Sequence, residues 1–367
     1  MTATPLFDPA DFRIPEGVAH LCAGGQTPFL HAHDAALLRH SADKSNGMAG
    51  RAVMEAEVER ARSLVARLWG VETADIGFVA HVAEGVAMLA ESLDWRPGDT
   101  IAVDAAEYPS VVGGFALRKG VGLRVAEGDA PDRLAACVDG STRLIAASYV
   151  SYLTGERTDL AALRRAADRV GALLLVDYTQ ASGCMAIDPT VADFAFSACY
   201  KWMLGMTGIA VAYWNRARQP NWAPVSAGWY SIAPGSRSWT PPPALRDDAM
   251  RFTRGNPAHA SAYVLASALD YLTRFDPHAV QRHVLGLGGA LIERLAAWQI
   301  PVWTPADPAR RAANVCLRHP RAAAIAEALE MQRVLVWNGQ GRVRVSFHGY
   351  NTLADVDRVA EALRAAW

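Results

Sequence analysis

A chain of 367 residues, 51% of them apolar, can bury a substantial core and has room for two domains; its formal net charge of −1, with basic residues scattered, points away from nucleic acid and anionic membranes and toward a small-molecule partner. Five cysteines (Cys22, Cys137, Cys184, Cys199, Cys316) are odd in number, widely spaced and without a CxxC pair, which argues against a disulfide framework and a metal site and fits a reducing cytoplasm. The N-terminus MTATPLFDPADF has no basic n-region or apolar h-region, and no apolar run has the length of a membrane span, so neither secretion nor insertion is expected.

In chain order, Met54, Val58, Ala61, Val65 and Leu68 recur at spacings of three and four and predict an amphipathic helix over 51–69. Short apolar runs follow at IGFVA (76–80), IAV (101–103), LRV (123–125), LIAAS (144–148), ALLLVD (172–177), FAFS (194–197) and IAVAYW (209–214), which read as roughly seven strands. Helical patterns separate several of them. In TDLAALRRAADRVG, Thr158 is expected to cap a helix whose inner face is Leu160, Leu163, Ala167 and Val170, and Gly171 to end it. Strands apolar on both faces and alternating with helices predict an α/β fold, a three-layer large domain with a mostly parallel sheet over residues 49–258. The proline-rich segment 231–248 breaks the alternation and reads as an ordered loop. Residues 259–367 read as a smaller C-terminal α+β domain, opening with the helical pattern ASAYVLASALDYLTRF and closing with a helix that Thr352 and Asp355 start as a capping box. Residues 1–48 are expected to form an N-terminal arm and a segment packing on the small domain.

In an open α/β sheet the ligand lies beyond the carboxyl ends of the strands, so polar residues that follow apolar runs are the candidates. Asp177 and Gln180 follow ALLLV; Tyr200 and Lys201 follow FAFS; Glu107, Tyr108, Pro109 and Ser110 follow IAV. A lysine that can form a Schiff base, a carboxylate that can hold a pyridinium proton and an aromatic that can stack make a cradle for pyridoxal phosphate. Each has a plainer reading alone: a snorkelling lysine, a capping aspartate, a core tyrosine.

VDYTQASG, with Lys201 of CYKWMLGMTG 24 positions after Asp177, resembles the aspartate and lysine motifs of the class V pyridoxal-phosphate enzymes. EYPS (107–110), VSYLTG (150–155), AGWYS (227–231), RGNP (254–257) and VRVSFHGYNT (343–352) fall in the same order as in that family. The resemblance implies that Lys201 is the Schiff-base lysine and the base for the substrate's Cα proton. It makes Asp177 the partner of the pyridine nitrogen, Gln180 a donor to the ring's phenolic oxygen, and Tyr108 the stacking residue. Tyr200 becomes a phosphate contact and Arg344 the grip on the substrate α-carboxylate, with Trp229 and Asn256 reaching toward the phosphate across a homodimer interface. The phosphate itself is expected at the helix start after IGFVA, where Val82 and Ala83 stand in place of the hydroxyl residues of many relatives, leaving backbone N–H groups as donors. His81 is either a compensating contact or a cap.

The resemblance leaves several outcomes open for a small α-amino acid substrate. A Cβ lyase is favoured, with a transaminase, an epimerase and a non-catalytic cofactor-binding protein as alternatives. A cysteine desulfurase is not expected, since VLVWNGQGRVRVS carries no cysteine before Arg344 and Cys316 lies upstream. A true kynureninase is disfavoured by Val111 and Gln180, where that branch has an aspartate and a histidine. Trp337, Tyr230 and the 231–248 loop are the expected substrate pocket.

Overall fold

The computed structural model describes residues 4–236 and 239–367. The seven apolar runs pair into one sheet: β1 (Ile76–Val79), β2 (Thr100–Asp104), β3 (Gly122–Ala126), β4 (Thr142–Ser148), β5 (Leu173–Asp177), β6 (Phe194–Ala198) and β7 (Ala210–Trp214). Their order is β1-β7-β6-β5-β4-β2-β3. Only β7 runs against its neighbours, and the other pairs are parallel. Every residue of the central β5 is buried, as a strand covered on both faces requires.

Helices supply the two covers. On one face α1 (Ala32–Ser45), α2 (Gly47–Trp69), α5 (Leu160–Val170) and α6 (His259–Leu272) lie over the sheet or over one another. Here Val58 and Val65 of α2 and Leu265 and Leu269 of α6 share a core with Ile145 and Val176. On the other, Val86 and Leu89 of α3 (Val82–Ser92) and Phe115 of α4 (Pro109–Ala116) pack on Leu144, Leu175 and Phe196. Each such side chain contributes roughly 1.5–3 kcal/mol by leaving water. These three layers hold the strand ends in place.

Helix α5 is capped by Asp159, whose carboxylate accepts the Ala162 N–H at 2.9 Å, and not by Thr158. Thr158 is drawn instead to the end of β4, donating to the Ser148 carbonyl at 2.8 Å. Gly171 ends the helix at φ 69, as its position suggests.

A long helix α7 (Pro277–Ala297) leads to a second unit: β8 (Asn314–Arg318), α8 (Ala322–Met331), β9 (Trp337–Gly339), β10 (Arg342–Ser346) and α9 (Leu353–Ala366). Its three strands are antiparallel in the order β9-β10-β8, and Leu291, Leu317, Val343, Val345 and Leu363 form its core. The Asp355 carboxylate accepts the Thr352 N–H at 2.8 Å in a capping box. The N-terminal segment is tied to this unit, with Ala19–His20 pairing in parallel with Val334–Leu335. Among the described residues no helix is long and apolar enough to cross a membrane.

Candidate active site

Because β5 and β6 are parallel neighbours, Asp177 and the segment after Ala198 leave the sheet at the same edge. That segment makes a tight turn, with the Leu204 N–H donating to the Lys201 carbonyl at 2.9 Å. Thr27, from the N-terminal segment, donates its hydroxyl to the same carbonyl at 2.9 Å. Leu204 (φ 59) and Gly208 (φ 85) are the left-handed residues of the turn; Gly205 serves differently, since a Cβ there would lie 3.0 Å from the Cys199 carbonyl.

The Lys201 side chain is buried, 8% exposed. Its Nζ stands 5.7 Å from the Tyr108 ring centre and 5.4 Å from that of Tyr200. Burial lowers its pKa to about 8, the Arg344 charge pushes the same way, and Asp177 opposes both. Asp177 is buried in turn, one oxygen accepting the Thr179 N–H at 2.7 Å. Burial raises its pKa, against the Thr179 hydrogen bonds and the Lys201 charge.

Tyr108 is no core residue. It precedes Pro109 at the start of α4, is 36% exposed, and meets Tyr152 edge to face at 4.9 Å. Gln180 is buried and engaged: its Nε2 donates to the Gly24 carbonyl at 3.0 Å, and its Oε1 accepts from Trp202 Nε1 and Asn314 Nδ2, each at 3.1 Å. One N–H of its amide stays available. Tyr200 has a half-buried ring whose phenol feels Tyr108, Asp177 and Arg344.

At the start of α3, His81 is the cap, its Nδ1 accepting the Glu84 N–H at 3.0 Å, while the Glu84 carboxylate accepts the Ala80 N–H at 2.7 Å. The side chain of Val82 is buried in the apolar layer and Ala83 is half-buried. With the Glu84 N–H taken by this cap, the first turn has the backbone N–H groups of Val82 and Ala83 to offer an anion.

Arg344 sits in the middle of β10, 3% exposed. Its Nη1 donates to the Tyr152 carbonyl at 3.2 Å, its guanidinium lies 4.7 Å from the Trp337 ring centre, and its buried Nε–H has no hydrogen-bond partner among the described residues. Trp337 thus belongs to the site. Asn256 lines a small cavity of about 150 Å³ with Ala80 and Glu84 at the start of α3 and with Gly208, whereas Trp229 and Tyr230 lie in a separate groove. Trp229 is 59% exposed under the Arg51 guanidinium, and Asn256 accepts from Arg51 Nη2 at 2.8 Å. Tyr230 donates to Glu55 at 2.6 Å. Trp229 and Tyr230 line an open groove of about 1370 Å³ with Met48, Trp239 and Arg246.

Sequence reasoning passed over the stretch from Cys22 to Thr27. A Cβ on Gly24 would stand 2.6 Å from Asn314 Oδ1 and 2.8 Å from Ser346 Oγ, so glycine is what lets this backbone reach the site. The paired glycines of CAGGQTP were the available signal. A Cβ on Gly25 would meet both Cys22 Sγ at 3.3 Å and Arg344 Nη2 at 3.4 Å, which puts that thiol beside the arginine. Cys316 pairs directly with Arg344 across β8 and β10, so distance along the chain misplaced it. Burial raises the pKa of both thiols, while Arg344 lowers them.

The model of the family described as Aminotransferase class-V matches residues 29–359. A protein of Methanothermobacter thermautotrophicus named as a probable cysteine desulfurase is 27% identical over 337 residues, covering 84% of this chain and 83% of its own. The kynureninase of Pseudomonas fluorescens is 27% identical over 222 residues, 58% of this chain and 52% of its own. Among solved structures, the apo cysteine desulfurase of Thermococcus onnurineus superimposes with a TM-score of 0.88 at 22% identity, covering 100% of this chain and 99% of that one. The expectation against a cysteine desulfurase finds no support in these likenesses. It rested on one loop before Arg344, whereas the fold brings two cysteines to that arginine from β8 and from the N-terminal segment.

Proposed function

The chain belongs to the class V aminotransferase family, and from that premise we propose that it uses pyridoxal phosphate to act on a small α-amino acid as a Cβ lyase. The observation that carries this reading is the buried Lys201 amine, its pKa lowered to about 8, beside the buried Asp177 carboxyl at the ends of adjacent strands. The donor set fits the cofactor: an amine for its aldehyde, an acid for its ring nitrogen, the Tyr108 face for its ring and the first turn of α3 for its phosphate. Gln180 has one N–H left for a ring oxygen.

When bound, pyridoxal phosphate supplies a carbonyl that captures the substrate amine and a ring that accepts electrons from Cα. Arg344 holds the substrate's α-carboxylate through a two-pronged guanidinium braced by the Tyr152 carbonyl and Trp337. Lys201, once its amine is free, takes the Cα proton, and its lowered pKa leaves enough neutral amine near pH 7–8 for that task. Asp177 holds a proton at the ring nitrogen. Tyr108 and Tyr200 flank the amine and keep water from it. The groove around Trp229 and the Arg51–Asn256 pair supports a homodimer whose partner completes the phosphate end. Sedimentation of an active monomer would contradict that.

The test is incubation of the holoenzyme with an amino-acid panel. Ammonia and a keto acid formed without an added keto-acid acceptor support the lyase; strict dependence on the acceptor overturns it in favour of a transaminase. A second reading, cysteine desulfuration, is favoured by the Cys22 thiol beside Arg344. It requires L-cysteine to yield alanine and thiol-bound sulfur, and a Cys22→Ala protein to lose that sulfur transfer.

A further inference from the structure

β10 carries two arginines two positions apart, Arg342 and Arg344, which therefore point to one face of the sheet. Both donate to one acceptor, the Tyr152 carbonyl, from Arg342 Nη2 at 3.0 Å and from Arg344 Nη1 at 3.2 Å. The Trp337 ring centre lies 4.5 Å from the first guanidinium and 4.7 Å from the second, and the Tyr152 ring 5.1 Å from the first. Cys316 contributes a thiol facing both. Among the described residues neither arginine forms an ion pair, although Arg342 is fully buried. Two adjacent cations withdrawn from water without an anion are costly, and stacking on aromatic faces offsets only part of that cost. The α-carboxylate of an amino acid would satisfy Arg344. Arg342 is left over.

What covers Arg342 is replaceable. Gln340, exposed at the tip of the β9–β10 hairpin with φ 54, accepts from Arg342 Nη1 at 2.8 Å through Oε1, and its Nε2 reaches only the Tyr152 hydroxyl at 3.4 Å. A neutral amide oxygen occupies the place where an acid oxygen would bind more strongly. Resting on the reading of Lys201 and Arg344 given above, we propose that the substrate's side chain carries a second acidic group, which displaces the Gln340 amide and is received by Arg342. The substrate class is an α-amino acid with a carboxylate, sulfinate or phosphate ester on or next to Cβ.

Absorbance titration of the holoenzyme tests this with matched pairs: L-aspartate against L-asparagine, and L-cysteine sulfinate and O-phospho-L-serine against L-serine. The acids should half-saturate the change at concentrations about tenfold or more below their neutral partners. Gln340→Glu, on the exposed hairpin tip, places an internal carboxylate on Arg342 and should collapse the ratio toward one. Arg342→Gln should do the same. Equal binding of acids and neutral partners by the native protein overturns the proposal, and so does a ratio that survives in Gln340→Glu. If no amino acid alters the absorbance, the site reading itself fails and the proposal falls with it.

Discussion

The Glu107 carboxylate grips Ser148 twice, accepting its backbone N–H at 2.7 Å and its hydroxyl at 2.5 Å, and also accepts the Tyr108 N–H at 2.6 Å. It thereby ties the end of β4 to the residue that starts α4, and so fixes the height of the Tyr108 ring over Lys201. Burial raises its pKa to about 7, against those hydrogen bonds. An unfolded glutamate titrates near 4.5, so between pH 4.5 and 7 the folded chain keeps a proton that the unfolded chain has lost. Stability from this group falls as pH rises through that window, by on the order of 3 kcal/mol. Melting curves of the apoprotein from pH 4.5 to 8 should show the fall, and Glu107→Gln, which cannot ionise, should flatten it. Equal slopes for the two proteins would refute the assignment.

Lys201 shifts the other way. Burial, followed by the Arg344 charge, brings its pKa down to about 8, so the folded chain releases this proton at lower pH than an exposed lysine. Recombination of apoprotein with pyridoxal phosphate needs the neutral amine. Its rate should rise about tenfold per pH unit below 8 and level off above it. Arg344→Gln should move the midpoint up by removing a like charge, and Asp177→Asn should move it down. A rate still climbing steeply at pH 10 would mean an ordinary lysine. Borohydride trapping followed by peptide mapping should label Lys201, and Lys201→Ala should take up no label.

Strand positions and the Asp177–Lys201 pair were legible because they depend on local rules: apolar runs make buried strands, and parallel strands place their ends together. Seven runs became seven strands within two residues at either end. What could not be read was what distant segments bring. Thr27 and Gly24 arrive from the N-terminus, Asn314 from β8, and Cys316 reaches Arg344 only through antiparallel pairing. Periodicity carries no information about such encounters. Thr158 failed as a cap for a similar reason, since the Ser148 carbonyl competed for its hydroxyl.

The contact that seats α3 on the sheet makes a packing prediction. Gly85 faces Phe196 of β6 so closely that a Cβ would lie 2.2 Å from its Cε1. Phe196 is fully buried and cannot move aside. Gly85→Ala should therefore cost about 1–3 kcal/mol in chemical denaturation, despite alanine's better helix propensity. Phe196→Leu in the same chain should recover part of the loss. An alanine variant as stable as the native protein would show that the helix can shift freely, and with it the proposed phosphate contact.

That phosphate end gives a gain-of-function prediction. Val82 and Ala83 open α3, and neither side chain can donate a hydrogen bond, so a phosphate there would be held by backbone N–H groups and the helix dipole. His81 is committed to capping and the Glu84 carboxylate to the Ala80 N–H. Val82 is buried, so a hydroxyl at that position would trade core packing for a donor. Ala83 is half-buried, and serine there adds one hydroxyl at little steric cost. A hydrogen bond to a charged oxygen should tighten pyridoxal phosphate about tenfold. Fluorescence titration of the apoprotein measures it, with pyridoxal lacking the phosphate as the control: Ala83→Ser should improve the phosphorylated cofactor alone. Improvement of both would place the new hydroxyl against the ring instead, and improvement of neither would move the phosphate away from α3.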